Sequence, residues 1–266
     1  SRARYCLNGC SSHLSDEIAQ LRSMLRNSQR AVVFTGAGMS TDSGIPDFRG
    51  PQGLWKHVKP IQFQDFVASE TVRQNYWKQW FEHSEQLLSA KPNAGHRIIA
   101  KLVDTGDVAA VITQNVDNLH QSSGIPADKV IELHGNSTYA KCLACARRIE
   151  MSEIEAELER INEVKPCSEC GGIIKTATIS FGQQMPELPM RRAAEEVDAC
   201  DLFIVLGSSL TVYPAASFPQ IARERGAQLV IINNEPTELD GWADLVLHAG
   251  ISEVLGAVLE APSGQK

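Results

Sequence analysis

The fold of this chain is decided by the stretch Ala31-Val32-Val33-Phe34-Thr35-Gly36-Ala37-Gly38-Met39-Ser40-Thr41. Its first five residues form an apolar run that is too short for a helix and ends at a glycine, which predicts a strand buried on both faces. The glycines that follow allow a tight turn and let backbone N–H groups approach a pyrophosphate at a helix N-terminus. A strand-to-helix turn without a ligand is the alternative interpretation of these glycines taken alone.

This turn departs from the dinucleotide fingerprint of dehydrogenases. Thr41 stands at the third glycine position, and no strand that ends in an acidic residue follows about 20 residues later. The chain continues instead with Ser43-Gly44-Ile45-Pro46-Asp47-Phe48-Arg49-Gly50. The motif therefore indicates a phosphate-binding turn, but not hydride-transfer chemistry.

The same strand pattern returns along the chain. Further apolar runs of strand length cover residues 108–113, 129–133, 202–206, 227–232 and 243–247. Helical spacing of apolar residues is found at 11–29, 94–105, 190–199, 215–226 and 252–259. This alternation predicts an α/β fold with a doubly wound, parallel Rossmann-type sheet, whose ligands lie at the carboxyl ends of the strands.

Composition bounds the class of protein. The 266 residues are 43% hydrophobic, and 25 Lys and Arg against 32 Asp and Glu give a formal charge of −7. This length predicts one large domain, or one domain with an inserted module. Because no block of Lys and Arg is present, we expect no direct binding of nucleic acid. The longest apolar runs are far shorter than the roughly 20 residues of a membrane helix, and the visible N-terminus has no secretory core.

The cysteine pattern indicates a metal site. Four of the seven cysteines form two Cys-x-x-Cys pairs separated by 21 residues: Cys142, Cys145, Cys167 and Cys170. Two such pairs supply four thiolates that close a tetrahedral zinc site with a structural role. Reduced core cysteines or disulfides are the alternative, and zinc favours a reducing, cytoplasmic location. Cys200 is interpreted as a small buried hydrophobe, whereas Cys6 and Cys10 have no partner pattern.

Polar side chains follow the predicted strands. Gln114, Asn115 and Asp117 come after the second strand, and His134 comes after the third. Groups at these positions lie where doubly wound folds bind ligands. His134 is a candidate general base at neutral pH, although a single histidine is more often structural. The structural interpretation is given to five other histidines: His57, His83, His96, His120 and His248.

These motifs together resemble the sirtuins, the Sir2-type NAD-dependent protein deacylases, in a form typical of bacterial members. The resemblance runs from about residue 30 to 259 and rests on the following segments: Gly36-Ala37-Gly38-x-Ser40, Gly44-Ile45-Pro46-Asp47-Phe48-Arg49, Gln114-Asn115-x-Asp117, His134-Gly135, the four paired cysteines and Gly207-Ser208-Ser209. It implies an NAD domain, a small zinc module and a substrate cleft between them.

The resemblance also implies residue roles. His134 matches the catalytic histidine, and Asn115 and Asp117 match residues of the nicotinamide pocket that share in catalysis. The cofactor-binding positions are Gly36, Ala37, Gly38, Ser40, Ile45, Asp47, Phe48, Arg49, Gln114, Asn115, Asp117, Gly207, Ser208, Ser209, Asn233, Glu235 and Ile251. In the family's mechanism, the acyl oxygen of an acyl-lysine attacks the ribose carbon as nicotinamide leaves. The histidine then deprotonates a ribose hydroxyl, and O-acyl-ADP-ribose and free lysine result.

The expected partners are acylated lysine side chains of proteins. Ile179, Phe181 and Gly182 would form the edge that pairs with the substrate backbone. This segment has Gln183 where sirtuins commonly have Glu, and Lys175-Thr176 where Lys-Pro is common, so the peptide preference is open.

The resemblance and the strand pattern divide the chain into segments. These are residues 1–29 as an N-terminal extension and first helix, 30–138 and 174–260 as the Rossmann-type domain, 50–92 within it as a cofactor loop and helical insertion, 139–173 as the zinc-binding module, and 261–266 as a tail. Ile154, Leu158 and Ile161 predict a short amphipathic helix inside the zinc module.

Three functions remain open at this point. An NAD-dependent protein-lysine deacylase is favoured, and an NAD-dependent protein ADP-ribosyltransferase of the same family is the nearest alternative. A non-enzymatic NAD-sensing or zinc-ribbon interaction module is the third, and the presence of His134 argues against it. Family members that prefer succinyl groups carry Tyr and Arg where this chain has Trp80 and His83, which predicts a preference for neutral acyl groups.

Overall fold

The computed structural model describes residues 7–47 and 60–260, and it describes side chains in the first range from residue 13 onward. Nine strands are present in these ranges: β1 Ala31–Thr35, β2 Val108–Thr113, β3 Val130–Glu132, β4 Gly135–Cys142, β5 Arg148–Glu150, β6 Ile174–Thr178, β7 Leu202–Leu206, β8 Gln228–Ile232 and β9 Leu245–Leu247. Six of them form one sheet in the order β3-β2-β1-β7-β8-β9, and every pair is parallel. The prediction of a doubly wound parallel sheet is confirmed.

The helices of the described residues lie on both faces of this sheet and in one insertion. They are α1 Leu7–Asn27, α2 Phe63–Ala68, α3 Glu70–His83, α4 Glu85–Ser89, α5 Ala94–Asp104, α6 Leu119–Ser122, α7 Met151–Ile161, α8 Glu187–Ala199, α9 Phe218–Glu224 and α10 Ile251–Leu259. The helix predicted at 215–226 is divided into a 3-10 turn over 215–217 and α9, because Pro219 lies in the first turn of a helix, where its missing N–H costs nothing.

Two hydrophobic clusters pack the helices against the two faces of the sheet. On one face, Leu21 of α1, Ile99 of α5 and Val254 of α10 pack against strand residues. On the other face, Val197 of α8 and Ala222 of α9 do the same. Strands β1 and β7 lie at the centre of the sheet and are therefore buried at every position. Both strands point their carboxyl ends to the same edge.

A second sheet stands beside the first. It is antiparallel, with the order β5-β4-β6. Ala140 and Ile149 of this sheet share a hydrophobic cluster with Ile154 of α7 and with Trp77 of α3, which belongs to the helical insertion. The insertion and the cysteine-bearing segment are therefore packed together as one small layer, and α7 forms as its apolar spacing predicts.

No helix of the described residues is long and apolar enough to cross a membrane.

Candidate active site

Two glycine turns meet at the carboxyl edge of the main sheet. The N–H of Gly38, after β1, donates to the carbonyl oxygen of Gly207, after β7, at 2.8 Å. A Cβ at Gly36 would lie 2.7 Å from that same oxygen, and a Cβ at Gly207 would lie 2.5 Å from the backbone nitrogen of Met39. Gly207 also has a φ of +63°, in the left-handed region. The glycines are thus required by the close approach of the two turns to each other.

Buried polar side chains after β2 form hydrogen bonds with the first of these turns. The Nδ2 of Asn115 donates to the carbonyl oxygen of Gly36 at 2.9 Å, and the Oγ of Ser40 donates to Oδ2 of Asp117 at 2.6 Å. Oδ1 of Asp117 accepts from the N–H of Leu119 at 3.0 Å. Burial raises the pKa of Asp117, although these hydrogen bonds oppose the rise. The structure therefore brings the predicted site residues Asn115, Asp117 and Ser40 together.

His134 follows β3 at the same edge of the sheet. Its Nδ1 lies 3.1 Å from the carbonyl oxygen of Gln114. Because a carbonyl oxygen only accepts, this contact requires the proton on Nδ1 and leaves Nε2 as the acceptor of the neutral ring. Burial lowers the pKa of His134, and the bond to Gln114 partly opposes the shift. The side chain of Gln114 donates to the Oγ of Ser208 at 2.8 Å, which links the ends of β2 and β7.

Further predicted cofactor-binding residues lie after the next strands. Asn233 follows β8, and its N–H donates to the carbonyl oxygen of Leu247 in β9 at 3.1 Å. The Nδ2 of Asn233 donates to the carbonyl oxygen of Glu235 at 2.7 Å. Ile251 is the first residue of α10, and Ser209 follows Ser208 in the second glycine turn.

Part of the predicted cofactor segment is described. The N–H of Ile45 donates to the carbonyl oxygen of Ser40 at 3.3 Å, so the chain turns back on the first glycine turn. Asp47 is the last residue before the gap, while Phe48 and Arg49, like residues 50–59, lie outside the described residues.

The predicted substrate edge adjoins His134. The N–H of Ile179 donates to the carbonyl oxygen of His134 at 2.8 Å, and the side chain of Phe181 is 40% exposed. Gly182 has a φ of +81°, and the side-chain oxygen of Gln183 accepts from the N–H of Ser180 at 3.0 Å. Gln183, found where the family commonly has Glu, thus stabilises the turn that follows this edge.

The four paired cysteines converge. Their sulfur atoms all lie within 4.8 Å of one another. Sγ of Cys142 lies 3.4 Å from Sγ of Cys170, and Sγ of Cys145 lies 3.8 Å from Sγ of Cys167. Backbone N–H groups of Glu169 and of Cys170 lower the pKa of the Cys167 thiol to about 6. Cys200, directly after α8, is buried in the hydrophobic cluster on one face of the main sheet, as predicted, and burial raises the pKa of its thiol to about 11.

Lys175 is a buried lysine in β6, the strand that leads to Ile179. It is 1% exposed, and its Nζ donates to the carbonyl oxygen of Thr178 at 2.6 Å. Burial lowers its pKa to about 8. The adjacent Thr176 bonds through Oγ1 to the hydroxyl of Tyr76 at 2.5 Å, and burial raises the pKa of Tyr76 to about 12. These contacts join α3 to the strand that leads to Ile179.

The aromatic residues of α3 pack mainly on one another. The ring of Trp80 lies 6.4 Å from that of Trp77 and 4.8 Å from that of Phe81, between ring centroids. Trp77 is 1% exposed, and His83 is an exposed residue at the end of the helix. Packing within the small layer therefore accounts for Trp77, while Trp80 is only partly buried.

Comparisons with known proteins agree with this geometry. The model of the Sir2 family matches residues 36–214. An NAD-dependent protein deacetylase of Rhodopseudomonas palustris is 50% identical over 243 residues, which cover 91% of this chain and 96% of the relative. An NAD-dependent protein deacylase 2 of Archaeoglobus fulgidus is 40% identical over 248 residues, covering 93% and 96%.

Solved structures show the same fold. A Sir2 variant bound to deacetylated p53 peptide and 3′-O-acetyl ADP-ribose has a TM-score of 0.83 at 37% identity, covering 91% of this chain and 96% of the other. A Sir2 complex with p53 peptide and NAD⁺ has a TM-score of 0.81 at 36% identity, with the same coverage.

Proposed function

The chain belongs to the Sir2 family and is an NAD-dependent protein deacylase, and we propose that His134 is its general base. The observation that carries this assignment is the bond between Nδ1 of His134 and the carbonyl oxygen of Gln114 at 3.1 Å. This bond holds the ring at the strand ends with Nε2 ready to accept a proton. The substrates are acylated lysine side chains of proteins, as the peptide complexes of the relatives indicate.

The residues at the sheet edge fit NAD by their chemistry. Amide, carboxyl and hydroxyl groups of Gln114, Asn115, Asp117 and Ser208 lie at the carboxyl ends of β2 and β7, where an open α/β sheet binds ligands. When bound, NAD supplies the ribose that receives the acyl group and the nicotinamide that leaves. We assign Asn115 and Asp117 to the nicotinamide end and Gln114 to its ribose.

The remaining NAD contacts are assigned by position in the fold. The first glycine turn, with Gly36, Ala37, Gly38 and Ser40, and the second turn from Gly207 to Ser209 would hold the phosphates and the adjoining ribose. Asn233, Glu235 and Ile251 follow the strands on the adenosine side. Ile45 and Asp47 would lead into the cofactor loop.

His134 is suited to its task by its protonation state. Burial lowers its pKa, so the ring is neutral at pH 7, with Nε2 free to take a proton from a ribose hydroxyl. The contact to Gln114 prevents the other tautomer, in which Nδ1 would be the base.

The four cysteines fit one zinc ion. Tetrahedral Zn–S bonds of about 2.3 Å place sulfur atoms roughly 3.8 Å apart, and the 3.4 and 3.8 Å pairs observed here lie near that value. A four-thiolate set leaves no open position, so the metal would be structural. Four unoxidised thiols also suit a reducing compartment, and we place the enzyme in the cytoplasm.

The acyl group that leaves the lysine is proposed to be neutral, acetyl or longer. A carboxylate at the end of an acyl chain needs a fixed cation, and an arginine would provide two parallel charge-assisted hydrogen bonds. At the corresponding positions this chain has Trp80, which packs on Phe81, and the exposed His83. The substrate backbone would pair with the edge from Ile179 to Gly182 by strand addition.

Incubation of the protein with NAD and matched peptides tests this function. The peptides carry acetyl-, butyryl-, succinyl- or glutaryl-lysine in one sequence, and mass spectrometry follows both products. We expect nicotinamide release only with acylated peptide, together with O-acyl-ADP-ribose, and higher kcat/KM for the neutral groups. Transfer of ADP-ribose to protein without any acyl peptide would contradict a deacylase.

A further inference from the structure

A pair of histidines lies in the core beneath the proposed nicotinamide end of the site. His96 of α5 and His120 of α6 are 0% and 1% exposed, and their ring centroids are 5.1 Å apart. Within the described residues, the two fully buried side-chain nitrogen or oxygen atoms without a hydrogen-bond partner are Nε2 of His96 and Nδ1 of His120. Buried polar atoms are normally satisfied, so two neighbouring exceptions require an explanation.

The hydrogen bonds on the other ring nitrogens fix the two tautomers. Nδ1 of His96 accepts from the N–H of Asn93 at 3.2 Å, so the proton of the neutral ring is on Nε2. Oγ1 of Thr35 donates its single proton to Oγ1 of Thr113 at 2.8 Å, so it must accept from Nε2 of His120, also at 2.8 Å. Nδ1 of His120 therefore carries no proton. The two unpartnered atoms are a donor and an acceptor.

Both rings are held in the neutral state that this arrangement needs. Burial lowers the pKa of His96 to about 4, with Arg97 adding to the effect. Burial also lowers the pKa of His120 to about 3, and His96 contributes to that shift.

The hydrogen bonds lead to Asn115. Oγ1 of Thr113 also accepts from the N–H of Asn115 at 3.0 Å, and the side chain of Asn115 reaches the first glycine turn. We propose that the neighbouring rings of His96 and His120, acting through Thr35 and Thr113, are the positioning device of Asn115. This rests on the proposed role of Asn115 at the nicotinamide end. His96 and His120 are positioning residues and touch no substrate.

The tautomers can be measured directly on the full, unmodified chain. Long-range ¹H–¹⁵N NMR spectra of the histidine rings should show His96 and His120 as neutral Nε2–H tautomers from pH 5 to 8. An Nδ1–H tautomer of either ring, or titration of either near pH 6.5, would overturn the proposal. This measurement needs no substrate, so its result is independent of the proposed deacylase activity. The deacylase proposal would instead be overturned if acylated peptide caused no release of nicotinamide.

Two variants test the link to Asn115. His120→Phe keeps an aromatic ring but removes the donor to Thr35, whereas His120→Gln keeps an N–H donor at a similar position. We expect His120→Phe to weaken nicotinamide inhibition about tenfold or more, because small displacements of binding groups are costly, while KM for the acyl peptide changes less than about twofold. His120→Gln should recover most of the inhibition, and His13→Gln, at an exposed site on α1, should match the wild type.

A purely structural role would lower the melting temperature of His120→Phe and leave nicotinamide inhibition unchanged, and that result would overturn the proposal. If His120→Phe does not fold, Thr35→Val serves in its place, since it removes only the hydroxyl that joins His120 to Thr113. Unchanged nicotinamide inhibition in Thr35→Val would equally overturn it.

Discussion

The edge of the main sheet and the cysteine cluster of the small layer are held in different ways. At the sheet edge, side chains after β2 and β3 are fixed by hydrogen bonds to the backbone of neighbouring strands, as His134 is to Gln114. The cysteine cluster lies at the end of β4, beside a three-stranded antiparallel sheet with one small hydrophobic cluster. The chain itself therefore organises the proposed reacting groups, whereas we expect the small layer to need a metal to complete it.

Loss of the metal should have the largest effect, and it should affect the small layer but not the main sheet. Apparent binding free energies of structural zinc are about 10–16 kcal/mol in small zinc domains, so Cys167→Ser should lose the metal and the order of the small layer. Metal analysis and hydrogen exchange measure this, and the main sheet should stay protected. The matched control is Cys200→Ser, a buried cysteine outside the cluster, which should keep one zinc per chain. Equal loss of protection in both sheets would contradict the comparison.

Substitution of the proposed general base should lower activity and leave the fold intact. His134→Ala is expected to lower kcat by about 10²–10⁴-fold, because a general base is lost, while NAD affinity and melting temperature change little. Single-turnover kinetics and calorimetric NAD binding check the two parts. A fully active variant would remove His134 from the reaction.

The close contact between the two glycine turns predicts a smaller effect, on both stability and NAD binding. Gly207→Ala places a Cβ 2.5 Å from the nitrogen of Met39 in a left-handed conformation, whereas Gly226→Ala has a similar φ sign and open space. The left-handed strain alone costs about 1–2 kcal/mol. Urea denaturation should show that cost for Gly226→Ala and a larger one for Gly207→Ala, which should also raise KM for NAD. Equal costs would mean that the contact between the turns is not needed.

The smallest effect concerns Lys175, a buried lysine of β6 in the small layer. Its pKa is lowered to about 8 in the folded protein against 10.5 for an ordinary lysine, so the unfolded chain binds more protons between these values. Stability from this group therefore rises with pH from about 8 to 10.5, by on the order of 1–3 kcal/mol. Lys175→Met should remove that rise in denaturation curves, and Lys141→Met, an exposed lysine of β4, should not.

The sequence predicts the main sheet better than the small one for a physical reason. Strands such as β7 are buried on both faces and appear as unbroken apolar runs. Strand β6, with Lys175 and two threonines, has the composition of an exposed segment, yet Lys175 is buried because the carbonyl oxygen of Thr178 accepts from it. Composition alone does not reveal such a contact.

Some site residues can likewise be predicted from local sequence, whereas others depend on tertiary packing. Gln114, Asn115 and His134 could be found because each follows a recognisable strand, and the cysteines because their spacing is specific. Sequence alone predicts satisfied structural roles for His96 and His120, but each has one unpartnered ring nitrogen. The contact between their rings depends on how α5 packs against α6, and no local pattern predicts it.

The pH dependence of kcat/KM for an acetyl-lysine peptide tests the central claim most directly. Burial lowers the pKa of His134 below its ordinary value of 6.5, so the neutral base persists as the pH falls through 6.5. We expect an acidic limb whose midpoint lies below pH 6.5, because protonation of His134 removes the base. An acidic limb with its midpoint at or above 6.5 would contradict a preorganised, neutral His134.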